Sequence, residues 1–273
     1  MTSPKKKVLI TGASGLIGGL VLKHLGDRYD FSALNRRPVE GIPCVQRDIA
    51  DFDSILPAFE GIHTVVHLAG YTDDVTEWEG TEQVNIRGTY NVYEAARMHG
   101  VKRIIFASSG GTMLGYELES PYTEIVAAEY DRIPETWPML TVNDLVRPVN
   151  VCYVSKVFGE VLGRMYSDQY GISVINIRFG AVLRDESPTL RRHYPGYLSH
   201  ADCVQMVQKC IDAPDDLRYD TFDAMSNNKY RWRDIERARE VIGYVPTGKA
   251  EDYEIEDKGG RHQVGNTPRP VNK

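Results

Sequence analysis

The chain has 273 residues, 42% of them hydrophobic and 26% charged, with a net charge of −6. That composition suits a globular chain with a sizeable core and excludes a disordered or fibrous one. The acidic balance, with a sequence pI near 5.7, argues against nucleic-acid or membrane-surface binding, which needs a basic face. In chain order, KVLIT (7–11) reads as a short buried strand, with Lys5 to Lys7 as its solvated entry. GLIGGLVLKHLG (15–26) repeats apolar residues at helical spacing. DFSAL (30–34) is a second strand and TVVHLAG (64–70) a later one. EQVNIRGTYNVYEAARMHG (82–100) predicts one long helix. RIIFASS (103–109) is a strand ending in two hydroxyls. The stretch 151–170 is helical, SVINIRFG (173–180) is strand, and RDIERAREVIG (233–243) is a surface helix. Such alternation means crossovers, a parallel sheet and helices on both faces, an α/β doubly wound Rossmann-type fold.

The expected organisation is a single Rossmann-type domain over 1–273. A small C-terminal substrate lobe is drawn mainly from 181–246, and 247–273 forms an irregular tail, either disordered or laid along the surface. Between Gly115 and Asn150 lies a long connection with four prolines, read as a lid or a surface insertion. Four cysteines, at 44, 152, 203 and 210, show no CxxC pair and no metal-ligand spacing. Reduced thiols, no metal and a cytoplasmic location are expected. No run of 18 apolar residues and no signal-type leader are present, so no membrane contact is expected.

TGASGLIG (Thr11 to Gly18) stands between a strand and a helix. Gly12, Gly15 and Gly18 permit a tight turn and a close approach of backbone N–H groups to a pyrophosphate, and the helix N-terminus then faces the anion. Ser14, Leu16 and Ile17 belong to the same cradle. Where an acidic residue would read a ribose 2′-hydroxyl, the sequence has Asn35, then Arg36 and Arg37. Guanidiniums there suit a 2′-phosphate, so NADP is preferred over NAD. Asp48 and Ile49 are placed near the adenine, and Leu68, Ala69 and Gly70 beside the dinucleotide. His67 is read as a packed strand residue with one backbone bond.

TGASGLIG, RDIAD, HLAG, VNIRGTYNVYEAA, FASS, SKVFGE, IRFG and LSHAD occur in this order over 8–205. Together they resemble the extended short-chain dehydrogenase/reductases, the NAD-dependent epimerase/dehydratase family. Within it the chain is most similar to uronate dehydrogenase-like sugar dehydrogenases, through FASS…GY, SKVFGEVLGRMY and LSHAD. The resemblance implies an NAD(P)-dependent oxidoreductase that moves hydride between nicotinamide and a small, sugar-like alcohol or carbonyl, perhaps an anionic one. Alternatives are an epimerase, dehydratase or lyase using the cofactor transiently, and a non-catalytic dinucleotide-binding sensor. A homodimer is expected by analogy with relatives.

The resemblance also assigns roles. Ser109 is the hydroxyl that orients the substrate oxygen, with Ser108 beside it, and Lys156 is the lysine that tunes the acid/base and holds the ribose. The family's tyrosine position falls on Cys152, and Tyr153 follows it. Three readings stay open: Tyr153 substitutes through a slight unwinding of the helix start, Cys152 carries the proton, or redox activity is lost. Gly110 and Gly111 stand where relatives place an Asn-His pair that touches the sugar. Arg192 falls on the relatives' carboxylate-binding arginine, with Arg191 adjacent. Thr72 is a further substrate candidate, and Asn85 supports the site backbone.

Overall fold

The computed structural model describes residues 4–72 and 74–258. Among them, seven strands form one sheet: β1 (Lys7–Thr11), β2 (Asp30–Asn35), β3 (Cys44–Gln46), β4 (Thr64–His67), β5 (Arg103–Ser109), β6 (Ser173–Phe179) and β7 (Tyr219–Ala224). Their order is β3-β2-β1-β4-β5-β6-β7, and every pairing is parallel. The winding reverses between β1 and β4. The carboxyl ends of those strands therefore open a crevice, where such sheets bind ligands.

Helices cover both faces: α1 (Leu16–Leu25), α2 (Phe52–Ile55), α3 (Trp78–Gly80), α4 (Thr89–Met98), α5 (Tyr122–Val126), α6 (Val151–Tyr170), α7 (His200–Ile211) and α8 (Glu236–Ile242). Successive side chains of a strand point to opposite faces. Val8 and Ile10 thus join Leu20 and Val21 of α1 and Met206 and Val207 of α7 in one core. Leu9, between them, joins Val92 and Tyr93 of α4 and Tyr166 of α6 in the other.

Three expectations change. The long helix over 82–100 is two pieces, a wide-turned π segment, Thr81–Gly88, leading into α4. Within 233–243 only Glu236–Ile242 is helical. The long connection is fastened down rather than free. Leu140 N donates to Trp232 O (2.8 Å), and Asp234 N donates to Leu140 O (2.7 Å). Met113, Tyr122, Ile125, Leu140 and Trp232 close over these bonds as a small apolar cluster.

Of the stretch 181–246, β7 is the edge strand of the main sheet and α7 packs into the core against it, so much of the stretch expected as a lobe belongs to the main fold. The described part of the tail is laid down and held. Asp202, fully buried on α7, accepts from Thr247 N (2.8 Å), Gly248 N (3.0 Å) and Ser226 Oγ (2.5 Å). Residues 259–273 lie outside the described residues.

Candidate active site

Gly12 follows β1 with φ of 72°, and a Cβ there would come within 2.7 Å of Ala69 N. Only glycine fits both constraints. The chain then enters α1, whose start has no side-chain cap and no acidic residue in its first turn. The first N–H groups of a helix have no partners within it, and here they face a cleft of about 710 Å³. That volume lies in the range of about 300–1,000 Å³ typical of ligand sites. Gly12, Ser14, Gly15, Leu16, Ile17 and Gly18 line it at the phosphate cradle. Asn35, Arg36, Arg37, Asp48 and Ile49 line one end, and Leu68, Ala69, Gly70 and Lys156 lead to the other.

The Asn35 amide is tied up, donating to Arg37 O (2.7 Å) and Ser14 Oγ (3.1 Å). Arg36 and Arg37 are exposed. Asp48 turns its carboxylate onto Ala50 N at 2.9 Å. Thr72, expected against substrate, lines this cleft instead of the neighbouring pocket.

The cleft wall is braced from behind. His67 Nδ1 meets Thr11 Oγ1 (2.7 Å) and Nε2 meets Thr89 Oγ1 (3.1 Å). Thr11 Oγ1 also accepts from Ala69 N at 3.1 Å, which ties the strand end to the ring. Two threonines therefore hold His67, in place of the expected backbone bond. Burial drives its pKa down to about 3, so it is neutral at physiological pH. Asn85 brackets Tyr71, accepting from its N (2.7 Å) and donating to its O (3.1 Å).

Helix α6 starts regularly. Asn150 caps it by accepting from Tyr153 N at 2.9 Å, so no unwinding occurs. Lys156 is 8% exposed, and burial lowers its pKa. Cys152 is 2% exposed, with its Sγ at 3.7 Å from Tyr71 O, and it lines neither cavity. Burial pushes its thiol upward, opposed by the Lys156 charge.

Tyr153 lines a second pocket of about 320 Å³ with Ser109, Gly110, Gly111, Glu117, Arg192 and Arg233. Room for its ring comes from Gly111, where a Cβ would lie 2.5 Å from Tyr153 Cζ. Burial raises its pKa, with Cys152 and Glu117 adding to the rise and Arg192 opposing it. Ser109 Oγ accepts from Gly111 N at 3.0 Å, which leaves its proton free to donate into the pocket. Ser108, expected to touch substrate, is buried and donates to Glu160 Oε1 at 2.5 Å, beneath the floor. Arg192 reaches the pocket but pairs with Glu117 (Nη2 to Oε2, 2.5 Å). Arg191 turns away to Ile255 O (2.6 Å). Gly180 borders both cavities, so they adjoin.

The pattern of the NAD dependent epimerase/dehydratase family matches residues 8–201. The chain is 34% identical to an NAD-dependent glucose-6-phosphate dehydrogenase of Haloferax volcanii, across 91% of this chain and 96% of that one. It is 32% identical to a uronate dehydrogenase of Agrobacterium fabrum, across 97% and 91%. The crystal structure of uronate dehydrogenase from Agrobacterium tumefaciens superposes with a TM-score of 0.76 at 29% identity, covering 98% of this chain and 91% of that one.

The chain belongs to the NAD dependent epimerase/dehydratase family. Cavity-lining residues that the sequence did not single out lie both inside and outside the family motifs. Arg47, Val84, Ala107, Val182 and Arg184 also line the cleft, and Glu117, His193 and Arg233 line the pocket. A third arginine beside Arg36 and Arg37 was open to notice in VQRD. Nothing in the local sequence separates Arg233 from the surface charges around it.

Proposed function

We propose that the chain is an NAD(P)-dependent oxidoreductase acting on a small, sugar-like alcohol or carbonyl, with NADP the preferred cofactor. The observation that carries this reading is the junction at Gly180 of a dinucleotide-sized cleft with a small polar pocket. The residues fit such a cofactor. The uncapped α1 start and the Cβ-free approach at Gly12 suit a pyrophosphate. Arg36, Arg37 and Arg47, with no carboxylate at the end of β2, suit a 2′-phosphate. When bound, the cofactor supplies a hydride donor or acceptor at its nicotinamide.

The chain's own groups handle position and proton. Ser109 donates to the substrate oxygen, and Tyr153 is the acid/base that meets it. With its pKa held above the ordinary phenol value, Tyr153 is protonated at neutral pH and needs alkaline pH to accept a proton. Lys156 lines the cleft at the cofactor, where its ammonium can hold the ribose. Cys152 is packing. Its buried sulfur touches the Tyr71 carbonyl rather than the pocket.

Relatives support the redox reading: beside the two above, an L-arabinose 1-dehydrogenase (NAD(P)(+)) of Haloferax volcanii is 33% identical over 88% of this chain. We further infer a cytoplasmic homodimer. The four cysteines are unpaired, which suits a reducing compartment, and apolar side chains stand exposed along α4 and α6. The test of function is nicotinamide absorbance with a panel of aldoses and sugar acids. Net cofactor reduction on at least one is expected. A substrate isomerised or dehydrated with no net redox would move the assignment to an epimerase or lyase.

A further inference from the structure

Gly110 has a structural consequence that motif comparison does not expose. A Cβ at this position would lie 2.5 Å from Arg233 Nη2, so the missing side chain is what admits that guanidinium to the pocket floor. Arg233 is far along the chain, yet its place is held. The residues on either side of it are bonded to Leu140 through Trp232 O and Asp234 N, which gives the long connection a task. The side chain is 5% exposed and pairs with Asp223, at 3.1 Å from Nη1 to Oδ1.

The charges facing the pocket can be counted. Glu117 and Arg192 form one pair and Arg233 with Asp223 the other. His193 also lines the wall, and burial and the Arg192 charge lower its pKa, so it is neutral at neutral pH. Tyr153 is a neutral phenol there. The lining thus carries two guanidiniums and one carboxylate, Glu117, and the second carboxylate, Asp223, neutralises Arg233 from behind the pocket wall.

We propose that Arg233 is a substrate-binding, specificity-determining residue and that this charge-balanced pocket takes an uncharged, hydroxyl-rich aldose rather than a sugar acid or sugar phosphate. This rests on the oxidoreductase reading above. A hydroxyl both donates and accepts, so it can serve the Glu117 carboxylate and the guanidinium N–H groups not turned to their own carboxylates. An anionic substituent meets arginines that are already neutralised, and it meets Glu117 as a like charge in a dehydrated site.

The experiment compares kcat/KM for one aldopyranose, its C6 carboxylate and its C6 phosphate, with the intact enzyme and saturating cofactor. At least a tenfold preference for the uncharged sugar is expected, and Glu117→Gln should shift that ratio toward the anions by about tenfold. Gly110→Ala, which crowds the guanidinium out, should raise KM for the uncharged sugar at least tenfold while cofactor affinity is kept. The pair Arg233→Leu with Asp223→Leu removes the ion pair as a unit and should do the same. A wild-type preference for either anionic sugar overturns the proposal and leaves the oxidoreductase reading standing. An unchanged KM in both Arg233-directed variants removes Arg233 from the substrate. Silence on every sugar, with cofactor bound, sinks the oxidoreductase reading itself.

Discussion

Tyr153 and Cys152 are neighbours on one helix, but rotation about α6 sends the phenol to the pocket and the thiol into the core. Tyr153→Phe is therefore expected to lower kcat by about 10²–10⁴-fold, and Cys152→Ala to leave it nearly unchanged; steady-state kinetics read both. Because burial raises the Tyr153 pKa, wild-type alcohol oxidation should keep rising with pH into the alkaline range. At the other end of the cleft, Arg36→Ala should weaken NADP far more than NAD in a binding titration. Equal loss would remove the phosphate argument. His67 bears on stability. Unfolded, it titrates near 6.5; folded, its pKa is depressed to about 3. The unfolded chain therefore binds the extra proton, and its share of stability is complete above about pH 6.5. As pH falls from there towards about 3, that share declines by about 1.4 kcal/mol per pH unit. Denaturation of His67→Gln and wild type, compared at neutral and mildly acidic pH, should show a shallower decline in the variant.

Elements hold these residues through their ends. α6 begins on the Asn150 cap, and α7 begins on Ser199, whose side chain accepts from Asp202 N at 3.1 Å. LSHAD is thus a capping and fastening motif, since Asp202 also anchors the backbone at Thr247 and Gly248. Asp202→Ala would strand the part-buried N–H groups of Thr247 and Gly248 and the buried Ser226 hydroxyl, a cost of about 1–3 kcal/mol. A lower midpoint in urea, with unchanged cofactor affinity, is the expected result. The π segment Thr81–Gly88 carries Asn85 into the site wall. Such wide turns recur at functional sites.

At the scale of the whole molecule, the reversal between β1 and β4 sets the cleft, and the connection between Gly115 and Asn150, bonded to the segment before α8, brings Glu117 to the second pocket. The outer face is also informative. Val154, Val161 and Met165 of α6 are 50%, 64% and 39% exposed, and Tyr90 and Met98 of α4 are 47% and 53% exposed. Apolar side chains gathered on adjacent helices mark an interaction face. Light scattering after gel filtration should give a dimer, and Val161→Glu should give a monomer.

The sequence by itself determined the α/β class, the strand and helix alternation, and the phosphate cradle of TGASGLIG. These rest on local rules: side-chain period, glycine at a forced turn, and helix N–H groups left without partners. Its resemblance to the family put Cys152 at the tyrosine position and Tyr153 beside it, and left open which of them faces the pocket. Whether thiol or phenol faces the pocket depends on Gly111, a residue on another element that leaves room for the ring. Ser108 and Ser109 look alike in FASS, and the alternation of a strand whose two faces differ sends one to Glu160 and the other to the pocket. Arg233 is the extreme case. Its partner Asp223, its brace Leu140 and its opening at Gly110 lie on three separate segments, so only the tertiary fold could put it in the site.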